Sequence, residues 1–170
     1  MPSFNPATAP DTTQQYLTFS LGEELFAVGT RNVREIIEYG RLTPVPLMPA
    51  SILGVINLRG GVVPIMDLRQ RFGQQQTQIG RRSCIVILEV VREQMQQVIG
   101  IVVEAVNAVL EIPDQDIEPA PSFGSHIPTD FLLGMGKLDE RLVVLLDIGR
   151  ILSLADLRQL ATAAAQPEPA

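Results

Sequence analysis

The sequence predicts an all-β protein with short helices: two small five-stranded barrels around a shared hydrophobic core, followed by a C-terminal helix. Three observations lead there. The apolar runs are short, often β-branched, and separated by Gly- and Pro-rich turns, which is the pattern of barrels and sandwiches. A stretch of 21 residues also occurs twice: Ile52 to Phe72 reads ILGVINLRGGVVPIMDLRQRF, and Leu132 to Leu152 reads LLGMGKLDERLVVLLDIGRIL. Laid together without a gap, they match Leu53 with Leu133, Gly54 with Gly134, Leu58 with Leu138, Val63 with Val143 and Asp67 with Asp147, at a constant offset of 80. Two copies predict two similar lobes rather than a solenoid, which needs three or more. Finally, 170 residues with 46% hydrophobic side chains can bury a sizeable core, whereas one five-stranded barrel alone buries too little.

The elements follow in order. Met1 to about Gln15 is rich in Pro, Thr and Ala and is expected to be a disordered arm. Tyr16 to Leu21 alternates as a half-buried strand, Gly22-Glu23 turns it, and Glu24 to Gly29 returns as a hairpin. Thr30 to Tyr39 admits a short helix or a turn leading into a strand. The prolines at 44, 46 and 49 are poor helix neighbours and favour the strand, from Arg34 or Glu35. Pro49 to Leu53 is expected to make one helical turn.

In the first copy of the repeat, Val55 to Leu58 is a strand, Arg59-Gly60-Gly61 a turn, and Val62 to Met66 a second strand. Pro64 has no N–H to donate, which predicts an edge or a bulge there. Asp67 stands where a helix N-cap would, ahead of Leu68 to Phe72, and Gly73 closes the segment. Gly73 to Arg82 is a Gln-rich boundary. Ser83 to Val91 and Val98 to Val106 are so apolar that both faces of each strand should be buried, and Ala108 to Ile112 is a shorter strand. Pro113 to Thr129 carries four prolines and reads as an irregular crossing. The second hairpin follows, then a helix from Ile148 to Ala165 with Leu152, Leu157 and Leu160 on its apolar face. The expected lobes are therefore about 16–73 and about 80–147, with residues 155–170 as helix and frayed tail.

Several function classes are excluded. The net charge is −6, aromatic residues make up 5%, and there is no Trp. A nucleic-acid binder needs the opposite, a basic groove with stacking rings. No apolar run approaches a membrane span, and MPSFNPATAPDTTQQ lacks the features of a signal peptide. The single Cys84 permits no disulfide within the chain and reads as a small core hydrophobe. With His126 the lone histidine, neither a zinc site nor a Cys–His nucleophile can be assembled. Paired aspartates from duplicated lobes bring aspartic proteases to mind. Asp67 and Asp147, however, lack a following Thr/Ser-Gly, and each precedes a short helix that a capping carboxylate stabilises. No catalytic residue, cofactor or metal is expected. Charged residues reach only 19%, which suggests apolar surface awaiting a partner.

The residues also resemble a known family. Phe26-Ala27-Val28, Val33-Arg34-Glu35-Ile36, Pro44-Val45-Pro46, Gly54-Val55-Ile56-Asn57-Leu58-Arg59-Gly60 with Pro64, and Asp67-Leu68 are similar to the bacterial chemotaxis coupling proteins of the CheW type. Gly100 to Val103 and Leu146-Asp147-Ile148 continue the likeness, which spans about Tyr16 to Leu154. The resemblance implies two Src-homology-3-like barrels and a non-catalytic adaptor in the cytoplasm, recruited to receptor arrays. Its implied partners are the cytoplasmic tip of a methyl-accepting chemoreceptor, the regulatory domain of the histidine kinase CheA, and further copies of the same module in rings. No nucleic acid and no membrane insertion are implied. A paralogue serving a pilus- or biofilm-linked pathway is the alternative. By motif position, the implied receptor surface comprises Val33, Glu35, Ile36, Gly54, Asn57, Leu58, Arg59 and Gly60, with Val103 and Val106 facing them. Glu35 and Arg59 are implied to form an orienting ion pair. The second hairpin has Lys137-Leu138-Asp139-Glu140-Arg141 in place of NLRG, so only the first can carry that role.

Overall fold

The computed structural model describes residues 13–92, 94–119, 131–138 and 140–151. The strands are β1 (Thr13–Leu21), β2 (Glu24–Gly29), β3 (Val33–Glu38), β4 (Ile52–Leu58), β5 (Gly61–Asp67), β6 (Cys84–Arg92), β7 (Met95–Val103), β8 (Ala105–Pro113), β9 (Ile117–Glu118), β10 (Leu132–Leu138) and β11 (Arg141–Leu146). Two short helices, α1 (Leu68–Arg71) and α2 (Ile148–Ile151), follow β5 and β11. The strands form a five-stranded sheet, β3-β6-β7-β5-β4, and a six-stranded sheet, β8-β1-β2-β11-β10-β9.

Strand alternation explains how two lobes share one core. In β6, Ile85 and Ile87 point into the five-stranded lobe, while Val86, Leu88 and Val90 point into a cluster common to both sheets. In β2 and β11, Leu25, Ala27, Val143 and Leu145 fill the six-stranded lobe. Phe26, Val28, Val144 and Leu146 join the common cluster. A strand with both faces covered must be apolar at every position, which is why these segments lack the polar half of an amphipathic strand. Phe19, Phe26, Phe72 and Phe131 run through the common core as neighbouring rings, with centroids 6.1, 6.1 and 6.0 Å apart.

The repeat is real in three dimensions. The Asp67 N–H donates to the Ser51 carbonyl at 2.7 Å, and the Asp147 N–H to the Phe131 carbonyl at 2.9 Å, so the offset of 80 holds at both ends. Each β-ladder shifts register just before the repeated glycine. Gly54 and Gly134 have φ of +158° and +154°. A Cβ on Gly54 would lie 2.6 Å from the Thr43 carbonyl oxygen, and one on Gly134 2.6 Å from that of Glu118. A crossing backbone therefore touches each glycine, and no side chain fits.

Strand pairing corrects the expected lobe boundaries. The N-terminal hairpin β1–β2 does not join β3, β4 and β5 in a lobe at 16–73. Instead β2 lies parallel to β11 (Leu25–Val143, Phe26–Val144, Ala27–Leu145) and β1 lies antiparallel to β8. The five-stranded lobe is built from the consecutive strands β3 to β7, and the other from β1 and β2 together with β8 to β11. In lobe order, β3-β6-β7-β5-β4 corresponds to β8-β1-β2-β11-β10, so one lobe is a circular permutation of the other. The cause is non-local: β2 and β11 expose matching apolar faces that local patterning does not connect.

Smaller corrections follow. Pro64 is not at a bulge, and although β5 is interior in the strand order, Pro64 itself is unpaired on the β7 side. Its parallel pairing with β7 begins only at Ile65, so the missing N–H breaks no ladder, and the register shift falls in β4. Pro49 to Leu53 makes a single hydrogen-bonded turn, Ile52 N–H to Pro49 carbonyl at 2.9 Å, and then enters β4. The break after β7 comes at Glu104 rather than after Val106, and β8 starts at Ala105. Cys84 is half-buried against the common core. Thr13 to Gln15, expected at the end of the disordered arm, belong to β1 and pair with β8. His126, the rest of the arm and the helix beyond Ile151 lie outside the described residues.

Helix α1 straps the lobes together. Arg71 donates through Nε and Nη2 to the Ile151 carbonyl at 3.2 and 3.1 Å, and its guanidinium lies 4.6 Å from the Phe131 ring centre. At the offset of 80, Ile151 is the residue equivalent to Arg71 itself. Arg69 pairs with Glu104 at 3.7 Å, and Glu104 accepts the Gly22 N–H at 3.0 Å.

Candidate partner-binding site

The site is built on β3 and the β4–β5 hairpin. Leu58 pairs with Gly61 across a two-residue turn, and Arg59 (φ 53°) and Gly60 (φ 83°) both take left-handed conformations. Two positive φ values make the type I′ turn that suits the twist of a hairpin. Gly60 suits it, and a Cβ there would meet nothing within 4 Å. Arginine is uncommon in that conformation. The Asn57 side chain supports the turn, its Oδ1 accepting the Gly60 N–H at 3.1 Å.

From that tip the Arg59 guanidinium reaches Glu35 on β3 with both Nη atoms. Nη2 donates to Oε1 at 3.1 Å, and Nη1 bonds Oε2. Planar guanidinium and carboxylate groups match in this two-pronged fashion. The Arg59 side chain is 69% exposed and that of Glu35 23%. The hydrogen bond from Arg59 holds the Glu35 carboxyl below its ordinary pKa, burial opposes this, and the charges of Arg59 and Arg34 add to the lowering. Arg59 is correspondingly raised, first by the same bond.

β3 and β4 are the two outer strands of the five-stranded sheet. On a flat sheet, four strand spacings would separate them by about 19 Å, beyond the reach of one ion pair. The Glu35–Arg59 bond therefore shows that the sheet curls until its edges meet. A bridge from Thr43 to Val55 covers β4 on the same side.

The remaining candidates sort by exposure. Ile36, the next residue of β3, is 42% exposed and faces the opposite side of the strand from Glu35. Val33 and Val106 are half-buried against the common core, from β3 and β8 respectively, so they sit along the seam between the lobes. Leu58 packs half-buried on the core of its own lobe, and Asn57 is exposed. Gly54 is buried and already touched by the Thr43 carbonyl, which accounts for the glycine without a partner. Val103 is fully buried in the common core, so the structure removes it from any contact surface.

Both aspartates cap helices. Asp67 is completely buried and accepts four hydrogen bonds: Arg69 N–H at 3.0 Å, Gln70 N–H at 3.5 Å, Thr77 N–H at 2.8 Å and Thr77 Oγ1 at 2.7 Å. Asp147 accepts the Arg150 N–H at 3.2 Å. A cleft of roughly 350 Å³ opens at the six-stranded lobe, where Tyr16, Arg31, Leu133 and Asp147 are among its walls, but no candidate contact residue lines it. Exposed apolar residues overlooked in the sequence include Leu47, 94% exposed at φ 66°, and the pair Val62 and Leu142, which are equivalent at the offset of 80. The repeat alone could have flagged that pair.

Comparison with known proteins places this geometry. The CheW-like domain family matches residues 15–156. The chain belongs to the CheW-like domain family. It is 39% identical over 140 residues to the chemotaxis protein CheW of Klebsiella aerogenes, covering 82% of each chain. The protein FrzA of Myxococcus xanthus is 31% identical over 150 residues, covering 87% of this chain and 91% of its own. The crystal structure of the scaffolding protein TtCheW from Thermoanaerobacter tengcongensis is 30% identical, with a TM-score of 0.76 over 90% of this chain and 96% of that one. The two-lobed all-β architecture is thus that of CheW, and the chain is a chemotaxis adaptor of that type. No helix among the described residues is long and apolar enough to cross a membrane.

Proposed function

We propose that this CheW-like chain is a non-catalytic cytoplasmic adaptor joining the tip of a methyl-accepting chemoreceptor to the regulatory domain of CheA, within receptor arrays that include further CheW-like modules. The receptor surface consists of Ile36, Leu58, Arg59 and Gly60, with Val33 and Val106 along the seam and Glu35 holding Arg59 in place. The single observation that supports it best is the Glu35–Arg59 pair, a two-pronged polar contact that joins the two edge strands of the curled lobe at an exposed hairpin tip. Exposed ion pairs contribute little to stability, so this one orients a side chain for a partner. A pull-down comparing a receptor tip with a CheA regulatory domain tests the reading. Arg59→Ala is expected to keep its thermal midpoint and its CheA binding while losing receptor binding. An unfolded variant, or undiminished receptor binding, overturns it.

A further inference from the structure

We propose that Asn57 is a positioning residue: its side-chain oxygen sets the turn that carries Arg59 to Glu35, and it acts on a partner only through that pair. The functional arm rests on the adaptor reading above. Three observations carry the proposal. Arg59 adopts φ 53°, a conformation that costs an L residue free energy and that must be offset by the hydrogen bonds around it. The side-chain hydrogen bond that supports the turn has its acceptor outside the two central residues: the Gly60 N–H donates to Asn57 Oδ1 at 3.1 Å. The Arg59 guanidinium meets Glu35 at both Nη atoms across the sheet edges, a fit that requires a defined backbone direction at residue 59.

The duplicated hairpin supplies the contrast. The residue equivalent to Asn57 is Lys137, whose ammonium is a donor only and has no acceptor for a turn N–H. The two hairpins share their strands and their helix caps, but only the first has an acceptor that can hold its turn from this position. Asn57 is exposed and packs no core, so replacing it should leave the lobes folded. Without its bond, residues 58–61 sample other turns, Arg59 withdraws from Glu35, and both functional groups remain present but misaligned.

A double-mutant cycle on the full chain tests this. Asn57→Ala, Glu35→Gln and the double variant are compared for affinity to a purified receptor tip fragment. The Glu35 carboxylate is titrated by NMR in the wild type and in Asn57→Ala. Asn57→Asp, which keeps an acceptor, serves as the conservative variant for protection of the Gly60 amide. The Glu35 midpoint is expected to rise towards its ordinary value in Asn57→Ala, and receptor affinity to fall about tenfold, with little further loss when Asn57→Ala is added to Glu35→Gln. Gly60 amide protection should drop in the alanine variant and persist in the aspartate variant. An unchanged Glu35 midpoint overturns the proposal whatever the binding does. Additive losses overturn it as well, because Asn57 would then touch the receptor directly. Failure of the wild type to bind any receptor fragment sinks the adaptor reading instead, and the titration still decides the role of Asn57.

Discussion

The two lobes share a topology and differ in almost everything a partner would sense. Among the described residues, the five-stranded lobe between 33 and 103 holds eight Arg and four acidic residues, a net charge of +4. The described residues of 13–29 and 105–151 hold three basic and eight acidic residues, a net charge of −5. The first lobe has Asn57-Leu58-Arg59-Gly60 at its repeated hairpin, and the second has Lys137 to Glu140. Both keep the glycine touched by a crossing carbonyl and the aspartate that caps a helix. What was kept supports the backbone, while apolar core positions exchange among Ile, Leu and Met (Ile65 with Leu145, Met66 with Leu146) and the turn residues change their chemistry. Duplication preserved the features that close a lobe and freed the turn residues and the charge for different contacts.

The capping aspartates test that contrast most severely. Asp67 is buried with four donors, two of them from Thr77, and Asp147 is half-buried at a helix end. Asp67→Ala leaves buried N–H groups without partners and should destabilise by about 3 kcal/mol. Asp147→Ala removes one capping bond and should cost about 1 kcal/mol. Chemical denaturation of the two variants measures the difference, and equal losses would mean that the lobes use their caps alike.

The repeated glycines should behave as twins. Gly54→Ala and Gly134→Ala each force a Cβ to 2.6 Å from a carbonyl oxygen, and each should destabilise by about 2 kcal/mol. A large difference between their denaturation midpoints would show that one crossing segment yields. The strap is a one-sided feature. Arg71→Met keeps the apolar stem and removes the bonds to the Ile151 carbonyl, so a loss of about 1 kcal/mol is expected, with faster amide exchange in α2 than in α1.

The smallest effect concerns pH. Because the folded Glu35 pKa is lowered, the pair with Arg59 is fully formed above the unfolded value and is lost as pH falls through the folded one. Receptor-fragment binding should therefore hold at neutral pH and decline below about pH 4. The decline should shift to higher pH in Arg59→Lys, which cannot form the two-pronged bond.

Much of this was legible in the residues. The offset of 80 named the equivalent hairpins, the caps and the tight glycines, because close backbone approach and capping restrict residue identity locally. The apolar runs of β6 and β7 announced strands covered on both faces. The burial of Val103 follows from that same apolar run, whereas the family resemblance pointed to it as a contact residue; only the structure shows that the core common to both sheets covers it. Arg71 gave no signal, since a carbonyl 80 residues away attracts a guanidinium without leaving a pattern around it.

By itself the sequence determined the strands, the turns and the duplication, since each depends on φ, side-chain period or hydrogen bonding within a few residues; the Glu35–Arg59 pair, 24 residues apart, came from the family resemblance. Only the tertiary structure decided which strands share a lobe. The β2–β11 pairing joins the two ends of the chain, and its stabilisation comes from apolar faces that meet only once both lobes are built. Val103 is buried in the core common to both sheets, while Ile36 and Arg59 stay at the surface of the five-stranded lobe.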